Sequence, residues 1–97
     1  MELQNAYRQK MAAQLKEWGA QINLLEARVE NAGADARIKG AEELDRLRAK
    51  QRAASAKMTE LEKAGGEAWE QLKETAETIW ADLRTGIADA QARFKDQ

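Results

Sequence analysis

The sequence predicts an all-α protein of long amphipathic helices, folded as an antiparallel coiled-coil hairpin or a three-helix bundle. Three observations point there. The chain of 97 residues contains no proline, so only its 6 glycines can punctuate a helix. Its apolar residues recur at steps of three and four along most of its length, the spacing that gathers them on one helix face. An 11-residue repeat follows Gly65-Gly66, visible when Ala68-Trp69-Glu70-Gln71-Leu72, Ile79-Trp80-Ala81-Asp82-Leu83 and Ala90-Gln91-Ala92-Arg93-Phe94 are stacked, and 11 residues span about three turns. The length is that of one domain, a single coiled-coil unit over 1–97, with a long helical arm over about 3–63 and a return helix over about 67–95.

In the first arm, Leu15, Trp18, Ile22, Leu25, Val29, Ala32 and Ala36 form a heptad seam. Leu3, Tyr7, Met11 and Leu15 precede it at steps of four, so the stripe drifts around the helix before settling. A second seam through Leu44, Leu47, Gln51, Ala54, Met58 and Leu61 is displaced from the first by one position. Two readings of that displacement stand. It is a stutter inside one continuous helix, with Ala36, Gly40 and Leu44 bridging the registers. Or it is a break near Gly33, with Gly33 in the left-handed position after a helix and Asp35 capping the next.

Gly65-Gly66 is the firmer turn, because two adjacent glycines cost roughly 2 kcal/mol in a helix interior relative to alanine. With both breaks the chain divides into three arms, and opening at Gly33 to exchange the first arm with a second copy would give a dimer with nearly the same core. The return places Arg48 opposite Leu83, and Trp18 in one layer with Trp80 and Leu83.

Charge patterning supports antiparallel pairing. The segment from Gly33 to Gly66 carries a net plus two and the segment from Glu67 to Gln97 a net minus three. Arg46, Arg48, Lys50, Arg52 and Lys57 form a basic cluster, and the return would lay Glu74, Glu77 and Asp82 beside it. Asp35 with Lys39, Glu42 with Arg46 and Asp89 with Arg93 stand one helical turn apart, as on exposed faces.

Function classes narrow sharply. With no Cys and no His, the chain lacks disulfides, thiol nucleophiles, zinc-finger spacings and Ser-His-Asp triads, and Ser55 has no imidazole to activate it. Acidic pairs such as Glu42-Glu43 and Glu74 with Glu77 read as solvated helix face rather than metal ligands. No enzyme, cofactor, metal site or small-molecule substrate is expected. The net charge of minus one supplies no general attraction for nucleic acid. The basic cluster lacks interleaved aromatics and faces an acidic arm of its own chain, so nucleic acid is not the expected partner. No apolar run approaches the roughly 20 residues of a membrane span, and no signal peptide is visible, so a cytoplasmic protein is expected.

The residues expected to carry interaction are Trp18 and, on the return helix, Trp69, Leu72, Ile79, Trp80, Leu83, Ile87 and Phe94. With Ala68, Ala76 and Ala90 they make a face wide enough to touch more than one neighbouring helix. The expected partner is a second copy or another protein. The alternative is a lipid or hydrophobic surface, since an 11-residue periodic face with tryptophans at its edge suits an interfacial helix. An acidic return helix would be repelled by an anionic bilayer.

Met11-x-x-Gln14-Leu15-x-x-Trp18, Ala34-Asp35-Ala36-Arg37, Leu44-x-x-Leu47 and Gly66-Glu67-Ala68-Trp69-x-x-Leu72 together resemble a largely uncharacterised family of small bacterial coiled-coil proteins, labelled as stress-response or apolipoprotein-like. The likeness runs from about Tyr7 to Phe94, and the Gly-Glu-Ala-Trp-x-x-Leu segment is its most specific part. It implies a bacterial cytoplasmic protein with a continuous first helix, since members carry better helix formers at the positions of Gly33 and Gly40. It brings no catalytic or ligand residues. The reading that results is a non-enzymatic coiled-coil interaction or scaffold protein, self-associating or serving as an accessory subunit, with a stress-related role.

Overall fold

The structure, a computed structural model, describes residues 2–94. Three helices follow one another, α1 Glu2–Glu30, α2 Ala34–Lys63 and α3 Gly66–Phe94. They run up, down and up in a bundle with extents of 50 × 17 × 17 Å. The all-α expectation holds in its three-helix form. The arm expected over about 3–63 is two helices, and position 95 of the expected return helix lies outside the described residues.

The first break has a local cause. Asn31 Nδ2 donates to the Ala27 carbonyl at 3.0 Å and Asn31 N to the same oxygen at 3.2 Å, while Ala32 N reaches back to Val29 O at 3.1 Å. The last carbonyls of α1 are thus satisfied by a tightened turn and a side chain rather than by more helix. Gly33 follows with φ −64° and ψ 167°, and its carbonyl accepts Arg37 N–H at 2.8 Å to open α2. The left-handed glycine and the Asp35 cap are therefore corrected. Gly33 is an extended N-cap with no side-chain cap bond, and Asp35 sits in the first turn, where its charge suits the helix dipole. The continuous first helix implied by the family resemblance is not what this chain forms.

The Gly65-Gly66 turn is present. α2 ends at Lys63, Ala64 is extended, and the Gly65 carbonyl accepts Trp69 N–H at 3.0 Å as α3 begins. Both glycines leave open space where a Cβ would stand, and no glycine of the described chain has positive φ. They act here as weak helix formers at a boundary, not as left-handed hinges.

Ile22, Leu25, Leu47, Leu61 and Leu83 are the largest side chains withdrawn fully from solvent, one or two from each helix. The second seam is almost wholly buried, Gln51 alone being half-exposed. At Gly40 the α1 and α2 backbones come close, for a Cβ there would lie 2.6 Å from a Val29 methyl. That contact explains a glycine inside α2 despite its cost of about 1 kcal/mol against alanine. Gly86 likewise receives Leu47, whose Cδ2 would stand 3.1 Å from an added Cβ.

The pairing differs from expectation in one respect. Lys50 meets Asp82 at 3.4 Å, near the expected register, but Arg48 turns away from α3 to donate to Asn23 and Glu26 of α1 at 2.9 and 2.8 Å. Leu47, one position earlier, takes the inward place.

Candidate functional site

Of the eight residues expected to carry interaction, five pack inside this chain. Trp69, Trp80, Leu83, Ile87 and Phe94 are buried, and Trp18, Leu72 and Ile79 are half-buried against the same core. The wide face of α3 is explained by two neighbours, α1 and α2, packing on it at once. Its centre is rotated toward the tryptophans, which replace the exposed Ala68 in the seam Trp69, Ala76, Trp80, Leu83, Ile87, Ala90 and Phe94.

At the end of the bundle near Leu61, α1 supplies a clamp that no sequence pattern indicated. Arg8 Nε and Nη2 donate to the Leu61 carbonyl at 3.1 and 2.9 Å, and Nη2 reaches the Ala64 carbonyl at 3.4 Å. A guanidinium therefore answers carbonyls left open by the last turn of α2, with the favourable sign for its dipole. The same guanidinium lies 4.9 Å from the centre of the Trp69 ring, and Tyr7 meets that ring edge-on at 5.5 Å. Lys73 Nζ stands over Tyr7 at 5.3 Å. Burial, and then the neighbouring Glu77 carboxylate, push the Tyr7 phenol above its usual range.

The seam between α1 and α3 is the more open one, although a cleft of about 270 Å³ also lies between α1 and α2 beside Val29 and Arg48. Steps of four carry the early stripe about 40° round the helix at each step, bringing Tyr7, Met11 and Trp18 toward α3 rather than α2. There they wall a cleft of about 280 Å³ with Glu77, Trp80 and Arg84. Clefts of about 430 Å³ beside Leu3 and Trp69, and of about 220 and 290 Å³ beside Leu24, continue it toward both ends. Leu3 and Leu24 are 86% and 65% exposed along this line. Polar stitching is weak here, the cross-seam bonds being Tyr7 Oη to Glu77 at 3.5 Å and Gln91 to Gln21 at 3.4 Å. Trp80 lines the first of these clefts, but its Nε1–H is buried without an acceptor, a condition that costs about 1–3 kcal/mol.

The other seams are bridged by charge. Glu43 bridges Arg46 at 2.8 Å and, across to α3, Arg93 at 3.1 Å; the Arg46 hydrogen bond chiefly, with the nearby cations, holds its carboxyl below the usual range. Of the expected helix-face pairs, Asp35–Lys39, Glu42–Arg46 and Asp89–Arg93, none closes among the described residues; Glu43 gathers the arginines of the last two. Four cations of the basic cluster are ion-paired, Arg46 with Glu43, Arg48 with Glu26, Lys50 with Asp82 and Lys57 with Glu60. Only Asp82 of the three acids expected beside them arrives, Glu77 having turned to Tyr7. Among the described residues no helix is long and apolar enough to cross a membrane, and no group of His, Cys, Asp or Glu is arranged to hold a metal.

No protein-family model, curated protein or solved structure matches this chain.

Proposed function

We propose that this protein is a non-enzymatic helical interaction module, an accessory subunit or scaffold that offers the α1/α3 seam to a helix from outside the chain. The observation that carries this reading is the contrast between seams. Two are bridged by ion pairs, with one cleft of about 270 Å³ left between α1 and α2, whereas the third keeps a series of clefts along its length and apolar side chains at its rim. Helix-in-groove recognition uses such a strip, with anchors entering at intervals of three and four residues. A second copy is the alternative occupant, in keeping with the self-association expected from sequence. The lipid-surface reading is less well supported, because α3 would have to withdraw Trp69 and Trp80 from the core, at about 1.5–3 kcal/mol for each large side chain exposed.

A photo-crosslinking amino acid at Leu24 and, separately, at Ile38 tests the reading in cells. Ile38 is a matched control, 63% exposed on α2 and lining none of the seam clefts. Adducts are expected from position 24 and not from 38. Equal adducts from both, or none from either, would sink the proposal.

A further inference from the structure

Resting on the reading of the seam as a helix-binding groove, we infer that its occupant is an acidic amphipathic helix of another protein. That helix lies antiparallel to α1 and α3 and places a carboxylate side chain in the cleft walled by Lys10, Arg84 and Trp80.

Orientation follows from dipoles and packing. α1 and α3 run parallel, so a helix of opposite direction laid between them completes an alternating four-helix arrangement. Each terminus of the newcomer then lies beside the oppositely charged ends of both neighbours. The bundle is 50 Å long, enough to seat a helix of about 30 residues at 1.5 Å each.

Charge selects the chemistry. α3 taken alone carries a net minus three, yet the residues that line the seam clefts have the opposite balance. Lys10, Arg28, Lys73 and Arg84 stand against Glu70 and Glu77. Glu77 accepts the Tyr7 hydroxyl and Lys73 covers the Tyr7 ring. Lys10, Arg28 and Arg84 are in none of the ion pairs formed among the described residues. An acidic strip would therefore find three unengaged cations along one groove. A basic strip would meet repulsion, and such juxtaposition governs partner choice more than it adds affinity.

The indole beside these cations supplies a local reporter. Trp80 is 5% exposed, its Nε1–H has no acceptor, and it lines the same cleft as Lys10 and Arg84. A carboxylate entering the cleft answers the two cations together, and charge-assisted bonds of this kind are about twice as strong as neutral ones. A second copy of this chain is the poorer occupant, because its acidic helix α3 has its apolar face committed to its own core.

The test uses the full-length protein and two synthetic amphipathic peptides of about 28 residues, identical in apolar heptad positions and flanked by Glu in one and Lys in the other. Calorimetry at low and high salt gives affinities, and the Trp80 indole N–H resonance reports contact at the cleft wall. The Glu-flanked peptide is expected to bind at least about tenfold more tightly at low salt, to lose that margin at high salt, and to shift the indole resonance. The double variant Lys10→Glu with Arg84→Glu, at exposed or rim positions where folding is checked by circular dichroism, is expected to erase the preference. Equal binding of both peptides, tighter binding of the Lys-flanked one, or acidic binding that leaves the Trp80 resonance unmoved would overturn the inference. Crosslinks from position 24 into a non-acidic helix or a second copy would likewise defeat it while leaving the groove itself as the binding surface.

Discussion

Arg8 shows how much a single side chain can organise in a bundle this thin. Its stem crosses from α1 to the end of α2, where two guanidinium nitrogens meet the Leu61 carbonyl, and its flat face lies against Trp69 of α3. One residue thus touches all three helices. The bonds are partly buried and charge-assisted, so Arg8→Ala is expected to cost about 1–2 kcal/mol, which for a chain of this size lowers Tm by roughly 4–16 °C. Arg8→Lys keeps the charge near the helix terminus but loses the fork and the stacking plane, and is expected to recover less than about half of the loss. Thermal unfolding of the three proteins decides this. A lysine variant as stable as the parent would mean that charge alone matters and the geometry does not.

Between helices, the decisive detail is how the chain passes from α1 to α2. A three-residue linker, Asn31 to Gly33, turns the chain back, with Gly33 extended at the N-cap and open space beside it. Serine fits those dihedral angles and brings the acceptor that the cap lacks, whereas alanine fits but caps nothing. Gly33→Ser is therefore expected to be more stable than Gly33→Ala by about 0.5–1 kcal/mol. If α1 ran on into α2, the order would reverse, because alanine exceeds serine by about 0.5 kcal/mol inside a helix. The ranking of the two melting temperatures reports the break directly. The close return of α2 against α1 accounts for Gly40, which lies in the helix interior for the sake of Val29 and not for flexibility.

As a whole molecule, the chain closes a core of its own, drawing Ile22 and Leu25 from α1, Leu47 and Leu61 from α2 and Leu83 from α3 fully out of solvent. The three helices of one chain supply that core together. Light scattering behind size exclusion, over a hundredfold concentration range and at two salt concentrations, is expected to give a monomer of 10.9 kDa throughout. A persistent dimer would point to α1 exchanged through the Asn31–Gly33 linker or to a second copy in the seam. Lengthening that linker would separate the two, since short connections favour exchange and long ones relieve it.

Periodicity was enough to establish the helices, because a repeat of three and four is a property of neighbours along the chain and survives in any tertiary setting. The seams at Ile22, Leu25 and Val29 and at Leu44, Leu47, Ala54, Met58 and Leu61 were legible for that reason, as was the turn at Gly65-Gly66. Rotation of each helix was not legible. A stripe marks a face only to within a residue or so, and its centre is settled by whichever neighbours it must satisfy together. Hence Trp69 and Trp80, which the stripe of α3 places at its edge, lie in the buried seam, and Leu47 rather than Arg48 turns toward α3. The open seam is decided at the same level, since it depends on side chains of α1 and α3 separated by about 70 positions, such as Tyr7 with Glu77 and Gln21 with Gln91. No local pattern in a helix records what stands across from it; only the packed bundle does.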